Sequence, residues 1–540
     1  LRLSDRSVPE RGSRRGSPWR PKWNRPAPLR LYQRWILGLL LAPCVVTGAA
    51  GAAYYYRLHR FCEAMTLTNL PIAPAPTANR RMLVLSPHCD DETLGVGGQI
   101  AEATRAGVPV TVGFLTNGDG FRLAASRSLR EVNVRAGDFV RFAELRQQES
   151  LAALHELGVP ADNVKFLGYP DRGLKPMWET NWNLDHAFRS GFTGFSRSPY
   201  PRTYTPNAPY AGQSVVADLA RLMESTRPTD ILVTHPADDH PDHSAAAAFT
   251  EAALQTCRDR GDSWAQSAHL HFYIVHRGDW PLPQGDHPGS PLLPPPGLVT
   301  GDAHWNVCPL SDRARAAKAR ALSQYSSQMG ISGRFLSSFV RSNELYADLP
   351  TPGTQVASTI KTGVNTVDGA LNEGAIAVCE TAAANLSGDN LARFVEPAGD
   401  ITDLTVSRTD KMLTVRLRTR TDASPRIRYA IAVRGCTLGP DGVERSRLIS
   451  VGVTVPTLMA GRDGHEIGAV FPLSSLGLGG GTRGRCVWVS AESRWMNHLP
   501  TIDRTGYREF RLDDGRRSLA ARPAIRRVVA HLPTPLHGAG

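Results

Sequence analysis

No two of the eight cysteines form a C-x-x-C pair, which removes the common zinc-finger scaffolds. No solenoid-type repeat is present. No nucleic-acid motif accompanies the formal net charge of +12, so the chain is read as having no nucleic-acid partner. Charged residues make up 21% against 41% apolar, a balance that excludes wholesale disorder. The positive charge collects at the two ends, from Arg2 to Arg34 and from Arg516 to Arg527. At 540 residues the chain is too long for one ordinary core, so two folded domains with tails are expected.

Residues 1–34 are rich in Arg, Pro and Ser and read as a disordered basic segment. Residues 35–56 carry no charge and end in Tyr54-Tyr55-Tyr56, a length and an aromatic edge that suit a bilayer. The basic flank then predicts a cytoplasmic N-terminus and an exported body. Two forms are open: a single-pass signal anchor in the cell membrane, or a signal peptide cut near Ala49–Ala53 that releases a secreted protein. A buried helix is the alternative. If the body is exported, Cys257–Cys308 and Cys436–Cys486 are candidate disulfides.

Residues 57–79 form a linker, Pro/Ala-rich from Leu70 to Ala78. Beyond it, short apolar runs alternate with helical spacing. Strands are expected at Met82–Ser86, Val108–Thr116, Val164–Leu167, Ile231–Thr234 and Leu270–Val275. Helices are expected at Gly95–Arg105, Arg141–Leu157, Val215–Ser225, Ser244–Cys257 and Ser311–Tyr325. This pattern predicts an α/β domain over 80–348, a mostly parallel sheet with helices on both faces. Lys175–Gly212 is too long for a plain connection and reads as a loop insertion near a site mouth. Its aromatic residues, Trp178 and Trp182 among them, are candidates for stacking on sugar rings or for packing on one another. After a second linker, 349–395, alternating runs over 396–515 predict an accessory β-sandwich, and residues 516–540 a basic tail.

Two packets of reactive side chains end apolar runs. Leu83-Val84-Leu85-Ser86 leads into Pro87-His88-Cys89-Asp90-Asp91-Glu92, and Ile231-Leu232-Val233 into Thr234-His235-Pro236-Ala237-Asp238-Asp239-His240-Pro241-Asp242-His243. Parallel sheets bind ligands beyond the carboxyl ends of their strands. His and carboxylate are competent zinc ligands, and a catalytic zinc takes three protein donors. His88 and Asp91, three apart on a turn, can share an ion, with His243 as the third donor. Asp90 then stands beside the metal to take a proton, and His240 faces the other side of a tetrahedral intermediate. Each residue also has a plainer reading: His88 a structural histidine, Asp90 to Glu92 favourable charges at a helix N-terminus, His240 and His243 solvated loop residues around a turn fixed by Pro241.

Ser86-Pro87-His88-Cys89-Asp90-Asp91-Glu92-Thr93-Leu94-Gly95 resembles the PHPDDE signature of the LmbE-like, or GlcNAc-phosphatidylinositol deacetylase (PIG-L), superfamily. His240-Pro241-Asp242-His243 resembles its later HPDH motif. Leu115-Thr116-Asn117-Gly118-Asp119, Arg146-Gln147-Gln148-Glu149, Phe166-Leu167-Gly168-Tyr169-Pro170-Asp171, Tyr325-Ser326-Ser327-Gln328 and Ser342-Asn343-Glu344-Leu345 resemble further blocks in family order. The resemblance covers about residues 80–348.

It implies a Rossmann-like fold and metal-dependent removal of an N-acetyl group from a GlcNAc-type glycan or glycoconjugate. It further implies His88, Asp91 and His243 as ligands of Zn2+, or of another divalent metal such as Fe2+. Asp90 would be the general base and His240 the general acid or oxyanion partner. Asp242 would orient His240, and Arg146 and Asp171 would hold sugar hydroxyls or serve as structural ion-pair partners. Cys89 replaces the usual proline: it reads as a small spacer, since His88 and Asp91 already satisfy the pattern, with its sulfur as a rival ligand. Two other functions stay open: an amidase of a non-acetyl amide, and a non-catalytic cell-surface glycan-binding protein.

Overall fold

The computed structural model describes residues 31–64, 70–298, 303–349, 357–361, 391–408, 411–438, 444–454, 466–478, 483–495, 501–511 and 529–530. The expected basic segment up to residue 30, most of the 349–395 linker and nearly all of the basic tail lie outside them. The chain divides into two compact units, Leu1–Ala53 and Tyr54–Gly540.

The expected membrane anchor is overturned. Among the described residues no helix is long and apolar enough to cross a membrane. The uncharged stretch belongs to a 34-residue helix, α1 (Leu31–Ala64), which runs on through Arg57, His59, Arg60 and Glu63. Within the second unit, Tyr54 and Leu58 are buried against protein. Tyr54 packs on Phe394 with ring centroids 5.7 Å apart, where a headgroup-level tyrosine would be solvated.

The second unit opens with the α/β layer: β1 (Met82–Ser86), α2 (Asp91–Arg105), β2 (Val110–Thr116), α3 (Arg122–Leu129), α4 (Ala136–Glu156), β3 (Val164–Tyr169), α5 (Leu174–Glu179), α6 (Gly212–Thr226), β4 (Asp230–Thr234), α7 (Pro241–Asp259), α8 (Ser263–Ser267), β5 (His269–Tyr273), β6 (His304–Pro309), α9 (Asp312–Gln324), α10 (Ser326–Ser337) and β7 (Asn343–Asp348). The strands form one seven-stranded sheet in the order β3-β2-β1-β4-β5-β7-β6. The first five are parallel and β7 runs antiparallel to both its neighbours. The apolar runs follow from burial on both faces. Leu83 and Leu85 of β1, like Ile231 and Val233 of β4, enter one core, while Val84 and Leu232 enter the core on the opposite face.

From β1 the chain moves outward to β2 and β3, then returns to lay β4 on the other side of β1. The two reactive packets therefore end neighbouring strands at the point where strand order reverses, the usual ligand crevice of such sheets. Strands β6 and β7, His-Trp-Asn-Val-Cys-Pro and Asn-Glu-Leu-Tyr-Ala-Asp, carry no alternation strong enough to mark them beforehand.

The C-terminal region holds β8 (Ala357–Lys361), a short α11 (Leu391–Val395), β9 (Ile401–Arg408), β10 (Met412–Thr419), β11 (Ile427–Leu438), β12 (Glu444–Thr454), β13 (Glu466–Pro472), β14 (Arg483–Trp495), β15 (Thr501–Arg504), β16 (Arg508–Arg511) and β17 (Val529–Ala530). They make two sheets, β17-β13-β10-β9-β8 and β12-β11-β14-β15, with β16 also on β14. Leu413, Val415 and Leu417 of β10 share a core with Tyr429, Ile431 and Val433 of β11, the in-out alternation of packed sheets.

The outer face of the second sheet covers the α/β layer. Trp488 and Tyr507 share a core with Trp178 and Trp182, and the Trp178 and Trp488 ring centroids are 5.8 Å apart. The Arg434 guanidinium lies 4.2 Å from the Trp182 ring centroid, a cation–π contact. The tryptophans of the 175–212 insertion thus hold the β-rich region and are not open for stacking on a sugar. Cys257 and Cys308 form no disulfide, and Cys436 and Cys486 are register partners on β11 and β14.

Candidate metal centre and its surroundings

The turn from β1 into α2 is tightly held. Ser86 Oγ donates to the His88 carbonyl at 2.6 Å and accepts the Glu92 N–H at 3.2 Å. Glu92 in turn accepts Thr93 Oγ1 at 2.6 Å and the Tyr325 hydroxyl. Asp90 sits at φ 130°, a conformation costly for any residue with a side chain. Arg146 fixes it: its guanidinium donates to the carbonyls of Cys89 and Gly118 and lies 3.2 Å from Asp90 Oδ1. Gly118 is required there, because at its φ of +60° a Cβ would overlap the Arg146 side chain.

Three donor atoms converge beside this turn. His88 Nδ1 is 3.2 Å from Asp91 Oδ2 and 3.1 Å from His243 Nε2, and His243 Nε2 is 3.0 Å from Asp91 Oδ2. His88 comes from the turn after β1, Asp91 from the first residue of α2 and His243 from the first turn of α7. Bonds of 2.0–2.1 Å in a tetrahedron put neighbouring zinc ligands roughly 3.3 Å apart. Lone-pair atoms crowded this closely favour a cation between them, so the donor set fits a divalent metal. His240 and His276 surround the group, with ring centroids 4.9 and 5.0 Å from that of His243.

The outer partners were only partly foreseen. Asp238 Oδ2 lies 3.2 Å from His243 Nδ1 and accepts the N–H groups of Val275 and His276 at 3.0 and 2.9 Å. Asp238 and His276 carried no signal of their own, beyond Asp238 lying in the second packet. Asp171 accepts the Gly120 N–H at 3.0 Å and comes within 3.4 Å of His88 Nε2. Asp119 supports it by accepting the Asp171 N–H at 2.8 Å.

Asp242 departs from expectation. Its carboxylate accepts the N–H groups of Arg172 and Leu174 at 2.5 and 3.0 Å and lies 3.4 Å from His88 Nε2. The His240 ring instead caps α7, its Nδ1 accepting the Asp242 N–H at 3.2 Å. The side chain expected to orient His240 therefore faces His88, because the tight 171–174 turn supplies two donors to it. Arg146 likewise spends its guanidinium on the carbonyls of Cys89 and Gly118 and on Asp90. Cys89 points into the hydrophobic core with Val84 and Leu94, away from the donor cluster.

The electrostatics divide the carboxylates. Burial pushes Asp90 up to about 7 against the pull of Arg146. Asp91 is held well below the ordinary range: burial works against this, but His243 and His88 outweigh it. Burial drives His240 well below its ordinary value, and the neighbouring His88 and His243 add to that. One carboxylate can carry a proton and its neighbour stays charged.

The GlcNAc-PI de-N-acetylase (PIG-L) family model matches residues 83–254. These residues form a PIG-L-type domain. The chain is 31% identical over 207 residues to a 1D-myo-inositol 2-acetamido-2-deoxy-alpha-D-glucopyranoside deacetylase of Tsukamurella paurometabola, covering 37% of this chain and 64% of that protein. It is 28% identical over 268 residues to the protein of the same name from Rhodococcus opacus, covering 47% and 83%. The chain thus spans less than two thirds of the length of the Tsukamurella relative. The crystal structure of an A40926 pseudoaglycone deacetylase is 20% identical, with 51% of this chain and 99% of that one covered and a TM-score of 0.32.

Proposed function

We propose that the chain is a metal-dependent N-deacetylase that hydrolyses the acetamido group of a GlcNAc-type sugar in a glycan or glycoconjugate, with zinc as the metal. The convergence of His88, Asp91 and His243 within 3.0–3.2 Å, beside a strained and buried Asp90, carries this reading. It is supported by the PIG-L-type domain and by the names of the Tsukamurella and Rhodococcus relatives, both deacetylases of a 2-acetamido sugar.

In this reading His88, Asp91 and His243 hold the ion, which when bound supplies Lewis-acid polarisation of the acetyl carbonyl and acidifies water. Asp90 takes the proton from the attacking water as its oxygen bonds to the acetyl carbon. His240, 4.7 Å from the His88 ring between centroids, stabilises the developing oxyanion from the opposite side. The C–N bond then breaks, Asp90 returns its proton to the departing nitrogen, and acetate and a free amino sugar are the products. Asp171, whose carboxylate lies 3.4 Å from His88 Nε2, would accept a hydrogen bond from a sugar hydroxyl.

The test is acetate release from 1D-myo-inositol 2-acetamido-2-deoxy-alpha-D-glucopyranoside and from N-acetylglucosamine glycosides, set against a panel of longer N-acyl analogues. Stoichiometric acetate and amine from the acetyl substrates is the expected result. Faster cleavage of the longer acyl groups, or no cleavage by the metal-loaded protein, would sink the proposal.

A further inference from the structure

Behind the metal centre, between α7 and the outer face of the sheet β12-β11-β14-β15, lies a cavity of about 320 Å³, within the size range of small-ligand sites. Strand register builds its floor. Arg428, Ala430 and Ala432 alternate onto one face of β11, opposite Arg494, Glu492 and Ser490 of β14. Gly452 and Ser450 of β12 flank Ala430 and Ala432 on the other side. The facing wall comes from Lys175 and from Pro241 and Ser244 in the first turn of α7. Small side chains at the centre keep the space open while long charged ones rim it.

The charge on these walls is unbalanced. Arg428 and Arg494 stand directly opposite each other on neighbouring strands, a like-charge pairing that costs a sheet stability. Glu492 serves Lys175 at 3.0 Å, Arg494 at 3.0 Å and Arg504 at 3.4 Å, so three cations share one carboxylate. Glu179 is 3.7 Å from Lys175 and also accepts the Tyr507 hydroxyl at 2.8 Å. Among the described residues no carboxylate pairs with Arg428, whose guanidinium lies over Gly452, where a Cβ would come within 3.0 Å of its Nη2. The lining therefore holds two more cations than carboxylates, and hydroxyls from Ser450, Ser490 and Tyr507 stand between them.

We propose that this cavity is a ligand site distinct from the metal centre and takes an anionic sugar unit. The carboxylate or phosphate of the ligand lies between Arg428 and Arg494, and its hydroxyls meet the serine and tyrosine hydroxyls. An anion there relieves the arginine pair and draws charge-assisted hydrogen bonds from planar guanidinium donors. A neutral sugar does neither. The inference goes beyond the deacetylase reading and does not depend on it, since none of the proposed metal donors lines the cavity.

The experiment is titration calorimetry of the full chain with glucose 6-phosphate, glucuronate and glucose. One equivalent of at least one anionic sugar is expected to bind at least tenfold more tightly than glucose, with affinity falling as salt rises. Which of the two binds separates phosphate from carboxylate. Arg428→Glu, an exposed position, is expected to weaken binding at least tenfold, and Ala430→Trp, which fills the cavity, to abolish it. Binding that survives both substitutions, equal affinity for glucose, or no binding by the unaltered protein overturns the proposal. Because the readout is binding rather than turnover, a failure here leaves the deacetylase reading standing, and an inactive protein that still binds leaves this one standing.

Discussion

Asp238 Oδ2 stands 3.2 Å from His243 Nδ1, on the side of the ring away from Asp91. A carboxylate in that position fixes the tautomer and orientation of a metal-binding imidazole and raises its basicity. Two backbone donors, Val275 and His276, keep the carboxylate itself in place. Asp238→Asn is expected to weaken metal affinity about 10–100-fold, measured by competition with a chelator of known affinity. Unchanged affinity would show that the contact is incidental to the metal.

Asp90 is separated from Asp91 by what touches it. Asp91 faces both histidines, whereas the Asp90 carboxylate meets Arg146 and its backbone N–H donates to Glu92 Oε2. Asp90→Asn is nearly isosteric and leaves the three donors untouched. It is expected to lower kcat by about 10²–10⁴-fold while the protein still binds one metal equivalent, measured by single-turnover acetate release alongside elemental analysis. Near-normal turnover would remove Asp90 from the mechanism.

How much of this could be read beforehand depends on how local each signal was. The packets containing His88 and His243 were legible because each ends an apolar run, and parallel-sheet topology brings such ends together. The strands β6 and β7 were not, since Trp305, Val307 and Leu345 sit in runs too weakly alternating to mark a strand, and only the antiparallel pairing of the two runs explains them. Asp242 differs for a similar reason: the resemblance implied His240 as its partner, but the N–H groups of Arg172 and Leu174 arrive from another part of the chain. Likewise Trp178 and Trp182 were open to stacking on a sugar or packing on one another; they pack on one another and under the outer face of the second sheet, which is invisible in their own segment. The uncharged run before Arg57 suggested lipid, and only the burial of Tyr54 and Leu58 against protein shows that its end has another neighbour.

Helix α2 is interrupted at Val96, where φ and ψ leave the helical region, and a buried ion pair bridges the break. Lys318 Nζ donates to the Leu94 carbonyl at 2.7 Å and to Glu344 Oε1 at 2.6 Å. Glu344 accepts the N–H groups of Gly98 and Gln99 at 2.7 and 2.8 Å. Removing one member leaves the other charged and buried, so Lys318→Met is expected to cost about 3–5 kcal/mol, measured by urea unfolding. The double variant Lys318→Met with Glu344→Gln is expected to recover part of that loss. A Lys318→Met protein as stable as the parent would mean that the backbone donors alone satisfy Glu344.

Glu251 sits on α7 where it meets the β-rich region, and burial, reinforced by the nearby Glu509, pushes its carboxyl up to about 8. The folded state therefore prefers the protonated form, while the unfolded chain ionises near the ordinary value of about 4.3. Stability from this group is fully present below that ordinary value and drains away as pH rises towards 8, where the buried carboxyl must ionise. Glu251→Gln keeps the shape and removes the titration. Thermal melts from pH 5 to 8.5 are expected to show a flatter profile for the variant, with a gain of about 2–4 °C at the alkaline end and little difference at pH 5. Parallel profiles for the two proteins would mean that Glu251 ionises without cost, with Arg508 and Arg258 compensating its charge.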